Sequence, residues 1–371
     1  MIRIRQIETF DELERMGLLW NDLLHKSKDD DVFSTWEWIS CWWKHFGTHR
    51  QLRVLVAKEN EQIVGIAPLM GSSYRFMKLG KVNKIEFIGS PQADYNNFIL
   101  VKNEQKCLKL FLDHLARRTD WDALELADVR EGTLLAELVR RQRTDYGLKL
   151  EERIVTICPY VDLPNTKEEL MARLSSNMRN NLRRTMHRLQ ECYRVEFWTH
   201  REFGSIKAAM DLLFDLHEKR WASKGKSGAF ASDTVRDFHR DLAKRLAEKG
   251  WLALLFLTVD GAAVAAEYSF DYRQKRYFYH GGFDPRFAAY GVRTLLHLKS
   301  LEMCIAAGFR EYDFLRGDEK YKLRWDSQMR KNLEISVVRK GWFAKLQRIA
   351  IRNETIGALA RKLGRSVVLE P

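Results

Sequence analysis

The chain has 371 residues, a length that predicts about two domains of ordinary size. Hydrophobic residues make up 45% of it and charged residues 30%, a balance that excludes intrinsic disorder because enough apolar surface is present to offset chain entropy. The 63 Lys and Arg residues against 50 Asp and Glu give a net charge of +13, which favours an anionic partner such as a phosphate, nucleic acid, lipid head group or acidic sugar.

Three absences narrow the class of protein further. The first residues alternate charged and apolar side chains and lack the apolar core of a signal peptide, so we expect a cytoplasmic protein. The five cysteines form no C-x-x-C pair, which indicates neither a disulfide framework nor a zinc site, and no metal is predicted. The P-loop, H-E-x-x-H and G-x-S-x-G motifs are missing, which disfavours P-loop nucleotide hydrolysis, zincin chemistry and serine hydrolysis.

The first half of the chain predicts alternating helices and strands. Helices are predicted over 13–24, 35–46 and 105–117, and strands over 52–57, 63–67, 97–101 and 122–126. Trp38 and Trp42 lie four residues apart in the second helix and therefore share one face. They pack in a domain core under one hypothesis and form the aromatic wall of a ligand cleft under the other.

The second half of the chain repeats this order. Strands are predicted over 252–259, 263–270, 276–283 and 308–315, and a helix over 292–306. A hairpin, a strand, a helix and a strand thus occur twice, so that 51–127 corresponds to 251–316. The repeat predicts two α/β domains, one over 1–160 and one over 161–340.

A long basic helix is predicted between the two copies, over 166–194. It opens with the capping box Thr166-Lys-Glu-Glu169, and arginines outnumber acidic residues in its second half. Arg179 and Arg183 belong to this run, and arginine makes forked contacts to phosphate and carboxylate groups. The run is a solvated helix face under one hypothesis and an anion-binding face, which we favour, under the other.

Two segments near the end of the second copy carry candidate chemistry. Free amides and the helix dipole make the start of the 292–306 helix an anion site, and Gly291 lets a phosphate approach the backbone. Further along, acidic and basic residues follow a strand, a mixture that suits binding a polar substrate and moving one proton; a polar loop after an edge strand is the alternative. These residues are Asp313, Arg316, Asp318, Glu319, Lys320, Lys322 and Arg324.

These segments resemble those of a known family. Ser176-Asn-Met-Arg-Asn-Asn-Leu-Arg-Arg184, the run from Phe283 to Leu296 and the run Asp313-Phe-Leu-Arg-Gly-Asp-Glu-Lys-Tyr-Lys-Leu-Arg-Trp325 carry the resemblance. They are similar to the GNAT-superfamily acetyltransferase-like proteins of the cellulose or exopolysaccharide biosynthesis type, which are related to Fem-type aminoacyltransferases. The resemblance extends to about residue 340 and implies two tandem GNAT-like domains of the α/β (α+β) class, each a mixed, largely antiparallel sheet flanked by helices.

The resemblance also implies an enzyme. It would move an acyl group from acetyl-CoA or another acyl-CoA, or an aminoacyl group from tRNA, to an amine or hydroxyl of a polar acceptor, a small molecule or sugar that is anionic. The cofactor pyrophosphate would lie on the loop that opens the main helix, at Arg286, Tyr290, Gly291, Val292, Arg293 and Thr294. The N-terminal copy lacks a glycine-rich helix start, so we expect it to be degenerate for cofactor and to shape the acceptor cleft.

Attack on a thioester needs a neutral acceptor amine, a donor to the oxyanion and an acid for the leaving thiolate. We hypothesise that Asp313 or Glu267 is the base, with His280 as an alternative, and that Tyr290 is the acid. The predicted substrate-binding residues are Arg179, Arg183, Arg316, Asp318, Lys322 and Arg324.

Two other interpretations stay open at this point. A non-catalytic module that binds RNA or another anion through the Arg-rich helix is an alternative to an enzyme. Residues 341–371 carry apolar side chains at helical spacing among cations. This basic tail touches the inner face of an anionic membrane under one hypothesis and packs back on the protein under the other.

Overall fold

The computed structural model describes residues 1–75, 81–141 and 149–338. The described chain divides into two compact units: unit 1 is Met1–Ser34, His49–Val155 and the described residues from Asn332, and unit 2 is Thr35–Thr48 and Thr156–Lys331. The division after Val155 lies near the expected boundary at residue 160, whereas residues 35–48 belong to unit 2 and 332–338 belong to unit 1. The tail at 341–371 lies outside the described residues.

The described elements are as follows in chain order. The strands are β1 (Ile2–Ile7), β2 (Gln51–Leu52), β3 (Val54–Glu59), β4 (Gln62–Ala67), β5 (Leu69–Arg75), β6 (Lys81–Phe87), β7 (Ile99–Leu100), β8 (Ala123–Arg130), β9 (Lys149–Asp162), β10 (Val195–Thr199), β11 (Leu252–Val259), β12 (Ala262–Tyr272), β13 (Lys275–Phe283), β14 (Glu311–Asp313) and β15 (Gln328–Val338). The helices are α1 (Phe10–Glu14), α2 (Gly17–Lys26), α3 (Trp36–Phe46), α4 (Glu104–Arg117), α5 (Leu134–Arg141), α6 (Lys167–Arg173), α7 (Ser176–Cys192), α8 (Ile206–Ala222), α9 (Asp233–Glu248) and α10 (Val292–Ala306). Short 3₁₀ helices lie at Val32–Ser34, His200–Phe203, Pro285–Tyr290 and Lys322–Trp325. Within the described residues, every helix is too short or too polar to cross a membrane.

Unit 1 is built on largely antiparallel sheets. Strands β1, β3, β4 and β7 form one sheet in that order, and β2, β5 and β6 are antiparallel neighbours in another. Strand β8 runs parallel to β6, and β15 runs antiparallel to β8. Helix α4 buries Leu108, Phe111 and Leu115 in the core, each contributing about 1.5–3 kcal/mol through loss of apolar surface.

Unit 2 contains one sheet with the order β10-β11-β12-β13-β14-β9. All neighbours are antiparallel except β13 and β14, which run parallel. The β11–β12 hairpin turns at Asp260 and Gly261, whose φ angles of 50° and 82° are the left-handed values that a tight hairpin turn requires. Helix α3 packs on α9, and the ring of Trp38 lies 5.6 Å from that of Phe238. Trp38 and Trp42 are fully buried, so the core-packing hypothesis fits the observed positions.

The predicted α/β class with mixed, largely antiparallel sheets is confirmed. In each unit a parallel strand pair is joined through a helix: α4 lies between β6 and β8, and α10 lies between β13 and β14. The α10 prediction matches the structure at both ends. The predicted strand at 97–101 is wrong in extent, because only Ile99–Leu100 pairs, and β6 is the strand that precedes the helix in the repeat.

The predicted helix at 166–194 is wrong as one continuous helix. Leu174 adopts an extended conformation, and the Ser175 side chain accepts a hydrogen bond from the Met178 amide at 3.2 Å, so a new helix begins there. The predicted strand at 308–315 is likewise shorter, since only Glu311–Asp313 pairs with its neighbours. Ser175 is a strong N-cap residue, and this local signal overrides the apolar periodicity that runs through it.

Candidate functional site

The sheet of unit 2 opens between β13 and β14. In the described chain their ladder has three residue pairs and ends at Tyr277 with Asp313. The chain that follows Asp313 stays with β9, because the amides of Phe314 and Gly317 donate to β9 carbonyls at 2.8 and 2.9 Å. Strand β13 continues to Phe283 without this neighbour. We call this opening the fork.

A buried carboxylate lies beneath the fork. Glu267 on β12 is 1% exposed and accepts hydrogen bonds from Tyr312 Oη at 2.8 Å, Ser269 Oγ at 3.0 Å and the Ser300 hydroxyl. Its second oxygen lies 2.9 Å from His297 Nδ1. Burial acts to raise the pKa of Glu267, but the hydrogen bonds and the His297 ring outweigh it and hold the pKa below its usual value. Glu267 is therefore ionised at neutral pH.

His297 of α10 is the partner of this carboxylate and is only 2% exposed. An ionised carboxylate accepts hydrogen bonds and donates none, so Nδ1 carries the proton and Nε2 carries the lone pair. Nε2 is buried and has no hydrogen-bond partner within the described residues. Burial lowers the pKa of His297, and Glu267 only partly restores it, so the ring is neutral at pH 7.

The ring of His297 lies directly under the point where the strands separate. Phe278 and Phe314 are the first residues beyond the last ladder pair, and their rings lie 4.7 and 5.7 Å from that of His297. Tyr321 stacks on the same ring at 5.5 Å with an interplanar angle of 9°. The guanidinium of Arg293 lies 4.0 Å above the Tyr321 ring. Arg293 and His297 are four residues apart and share one face of α10.

Cations gather at the outer end of this face. We call Arg220, Lys224, Arg293 and Arg316 the cationic mouth. Burial lowers the pKa of Lys224, and so do the positive charges of Arg220 and Arg293. Burial lowers the pKa of Arg293 too, and Arg220 adds to this effect. Arg220 and Arg316 both act electrostatically on His280 of β13, and Arg220 donates to the Gly281 carbonyl of that strand at 3.2 Å, so positive charge lies beside the strand that borders the fork.

Helix α10 begins beside the cationic mouth. Gly291 is its N-cap in the left-handed conformation with φ 56°, and a Cβ there would lie 3.2 Å from the Thr185 methyl group. The Thr294 amide donates to the Gly291 carbonyl, whereas the amides of Val292 and Arg293 make no hydrogen bond within the described residues. Two free amides and the positive end of the helix dipole make this helix start suited to an anion.

The contacts of Asp313 hold the turn after β14 in place. It is fully buried, accepts a hydrogen bond from the Leu315 amide at 2.8 Å and pairs with Arg330 at 3.0 Å. Arg330 also binds the neighbouring Glu311 with both guanidinium nitrogens. The carboxylate therefore fixes the turn after β14, where Leu315 has φ 55°. Its role as a base stays a prediction.

His280 and Tyr290 lie in different surroundings. His280 is half-buried on β13, and its ring lies 5.5 Å from that of His217. Burial and the nearby positive charges hold the pKa of His280 well below its usual value. The Tyr290 hydroxyl lies 3.9 Å from Cys192 Sγ at the end of α7, and the Arg188 guanidinium lies over its ring. The structure does not bring Tyr290 into contact with Glu267 or Asp313 among the described hydrogen bonds.

Some of the remaining predicted binding residues hold the backbone through hydrogen bonds, and the others are exposed. Arg179 donates to the Met171, Ala172 and Leu174 carbonyls and so caps α6, while Arg183 is exposed. Lys322 is buried and donates to the Arg316 and Gly317 carbonyls at 2.6 and 3.3 Å, which holds the loop after β14. Arg286 pairs with Asp284 at 2.7 Å, and Asp318 and Arg324 are exposed.

Three potential metal ligands lie together elsewhere in unit 2. The ligand atoms of Cys41, His45 and Asp241 lie within 4.8 Å of one another. Asp241 already accepts from Lys44 at 2.8 Å and from Arg245 at 3.3 Å, so two cations neutralise its charge. Burial raises the pKa of the Cys41 thiol to about 12, which keeps it protonated. This set has no geometric connection to the fork in the described contacts.

Comparisons with known proteins agree with this fold. Residues 176–323 match the model of an acetyltransferase (GNAT) domain. Crystallised FemX has a TM-score of 0.64 at 11% identity, covering 95% of this chain and all of FemX. L-PGS from Bacillus licheniformis has a TM-score of 0.52 at 12% identity, and the match covers 90% of this chain and 95% of L-PGS. A conserved protein of unknown function from Bacteroides thetaiotaomicron VPI-5482 has a TM-score of 0.56 at 12% identity, and the match covers 91% of this chain and 100% of that protein. No curated protein sequence matches the chain significantly.

The family model thus identifies one acetyltransferase (GNAT) domain within unit 2, and the solved structures share the fold of the chain. The matched residues contain the whole fork, α10 and the cationic mouth. Sequence reasoning found Glu267 and the start of α10 but missed His297 and Arg220. His297 carried one usable signal, its position one helical turn after Arg293, whereas nothing in the sequence places Arg220 of α8 beside β13.

Proposed function

We propose that unit 2 is an acyltransferase that moves an acyl group from an acyl-CoA such as acetyl-CoA to an amine or hydroxyl of a polar acceptor. The observation that carries the proposal is the fork, which leaves one edge of β13 open beside the free start of α10. An extended donor arm fits against a strand edge that no neighbouring strand occupies, where it can bind backbone groups other than the Gly281 carbonyl, which already accepts from His217 and Arg220.

The charge around the fork supports a donor that carries phosphate. The amides of Val292 and Arg293 and the α10 dipole favour an anion at the helix start. Arg220 and Arg293 add side-chain charge on the same side: burial lowers the pKa of Arg293, and the positive charge of Arg220 lowers it further. A diphosphate would relieve this repulsion between neighbouring cations, which favours its binding.

The same cations support an anionic acceptor, such as a uronic acid or a nucleotide sugar, in polysaccharide or cell-envelope biosynthesis. Arg324 is exposed after the loop that carries the half-buried Arg316, so its charge is accessible to such a substrate. Contact of residues 341–371 with an anionic membrane remains part of the proposal, with the protein acting at the inner face of the membrane. Unit 1 would then shape the acceptor side of the reaction.

A second candidate donor is aminoacyl-tRNA, which the likeness to Fem-type enzymes implies. The observation that favours it is the outer face of α7, where Arg183, Arg184 and Arg188 are exposed on one stretch of helix while Met178, Leu182 and Leu189 are buried. Phosphate contacts by such arginines bind nucleic acid without reading its sequence.

One experiment separates the donors. Acyl transfer to a panel of amines, amino sugars and hydroxyl acceptors is followed by mass spectrometry with acyl-CoA or with aminoacyl-tRNA as donor. We compare the wild type, Arg293→Gln, and a triple variant in which Arg183, Arg184 and Arg188 are changed to Gln. With acyl-CoA as donor, Arg293→Gln lowers donor affinity and the triple variant does not. Loss in both variants, with turnover from tRNA alone, identifies the second donor; no transfer from either donor contradicts the proposed function.

A further inference from the structure

We propose that His297 is the proton acceptor of this acyltransferase and that Glu267 is its positioning residue. The inference rests on the proposed function and names the group that prepares the acceptor nucleophile. His297 was not among the residues that the sequence indicated. Three features support the assignment: the position of the ring, the proton on Nδ1, and the Nε2 atom that has no hydrogen-bond partner among the described residues.

The His297 ring lies close to the open edge of β13. The donor would follow the open edge of β13, and that edge begins at Phe278, whose ring touches the His297 ring at 4.7 Å. The residue that faces it across the fork is Phe314, at 5.7 Å from the same ring. The imidazole therefore lies at the inner end of the fork, where the acyl carbon of an inserted donor would stop.

Glu267 orients the His297 ring. Glu267 fixes Nδ1 as the protonated nitrogen at 2.9 Å, and the hydroxyls of Tyr312 and Ser300 hold the carboxylate from its other oxygen. Nε2 is left with its lone pair and without a hydrogen-bond partner in the described chain, although a buried polar atom ordinarily has one. A carboxylate that orients a histidine and leaves Nε2 open is the arrangement of a general base.

His280 differs from His297 in its surroundings. The described hydrogen bonds give His280 no carboxylate partner. Burial disfavours its protonated form, and four positive or titratable groups act in the same direction: His217, His239, Arg316 and Arg220. His297 has Glu267 to stabilise the imidazolium that forms when it takes a proton. Of the two histidines, His297 is therefore the one that the protein equips to accept a proton.

Tyr321 covers one face of the His297 ring. It stacks on the imidazole, and the Arg293 guanidinium lies 4.0 Å from the centre of the Tyr321 ring. Arg293 is also a proposed ligand of the donor phosphate. Donor binding would draw Arg293 away from the Tyr321 ring, weakening the stack that covers His297 and opening the ring to the acceptor.

The proposed step balances as follows. The acceptor ammonium gives one proton to Nε2, forming imidazolium and a neutral amine. The amine nitrogen bonds to the acyl carbon, the carbon–sulfur bond breaks, and the second nitrogen proton goes to the leaving thiolate. The products are the amide, the free thiol and one proton, which leaves His297 for solvent. No oxidant, reductant or metal enters the balance.

The test is the pH dependence of turnover in the full chain. The charged and titratable groups around His297 are Glu267 on β12, Tyr312 on β14, Arg293 on α10, and Tyr321 and Lys322 before and in the 3₁₀ helix. Glu267 raises the pKa of His297, while Arg293 and Lys322 lower it. Turnover of the wild type should fall on the acid side as His297 becomes protonated.

Single-residue variants are compared with the wild type. His297→Gln should lower kcat by about 10²–10⁴-fold and remove the acid limb, with donor affinity unchanged. Glu267→Gln should move the acid limb to lower pH, a shift that a purely structural role would not cause. His114→Gln is the matched control, because His114 is also a helix histidine with an unpartnered, buried Nε2, but it lies on α4 of unit 1.

Each outcome has a defined meaning. If His297→Gln turns over at the wild-type rate and its turnover falls at the same low pH, this inference is overturned and the proposed function stands. Loss of the limb in His280→Gln instead of His297→Gln overturns it as well. Absence of transfer by the wild type overturns both. Circular dichroism and donor titration show that a silent variant is folded, and added imidazole should partly restore His297→Ala if the missing group is a base.

Discussion

Gly282 of β13 is the position where one added methyl group should most disturb the site. A Cβ built there lies 2.2 Å from the amide nitrogen of His217 and 2.4 Å from the carbonyl carbon of Leu216. Both atoms belong to the backbone of α8, so no side-chain rotation relieves the overlap. Gly282→Ala must therefore move α8 away from the sheet.

The size of the effect follows from what this shift breaks. Overpacking alone costs about 1–3 kcal/mol. The hydrogen bonds that His217 Nδ1 and Arg220 make to the Gly281 carbonyl, at 3.1 and 3.2 Å, add about 1 kcal/mol each. Gly282→Ala should thus destabilise unit 2 by roughly 3–5 kcal/mol, or lower its Tm by roughly 6–20 °C.

Differential scanning calorimetry measures this change directly. The control is Gly65→Ala in β4, where the nearest atoms to an added Cβ lie at 3.4 Å and the expected loss is within about 1 kcal/mol. A Gly282→Ala protein as stable as the control would refute the close packing of α8 on β13. It would also remove the argument that places Arg220 at the fork.

Three further predictions concern single interactions. Arg330→Gln leaves the buried carboxylate of Asp313 without its cation and should cost about 3–5 kcal/mol in chemical denaturation; a loss below 1 kcal/mol contradicts the ion pair. Asp31 is buried and its pKa is raised to about 7, so the folded state holds an extra proton at this carboxyl and its contribution to stability should fall as pH rises from 4 to 7; the stability of Asp31→Asn relative to the wild type should therefore rise over this range, and a constant difference contradicts the prediction. Ser175→Ala removes the N-cap of α7 and should lower stability by about 1 kcal/mol in thermal unfolding, whereas Ser223→Ala, outside any N-cap, should not.

The sequence predicted the elements whose signals are local. Helix α10 was located at both ends because apolar spacing, Gly291 and Gly308 all agree, and the β11–β12 hairpin followed from Asp260-Gly261. Thr166 caps α6 as predicted, accepting from the Glu169 amide at 3.1 Å, although the Glu169 carboxylate reaches the Asn165 amide. Such features depend on residues a few positions apart, which is why periodicity and turn chemistry suffice for them.

The fork depends on long-range pairing and could not be predicted in detail. Whether β13 and β14 separate after three pairs is decided by β9, which holds the chain beyond Asp313. His297 and Glu267 are 30 residues apart and meet only because α10 crosses the sheet at β12. The sequence offered Glu267 as one of two candidate bases, but its partner His297 became visible only in the folded chain.

Hydrogen–deuterium exchange with and without acetyl-CoA shows whether the fork of unit 2 holds the acyl donor. Exchange should be slower with acetyl-CoA in 278–283, in 291–297 and in 314–321, with little change in unit 1. Replacing Arg293 with Gln should weaken that protection. Protection confined to unit 1, or to the exposed face of α7, would contradict the assignment of the donor site.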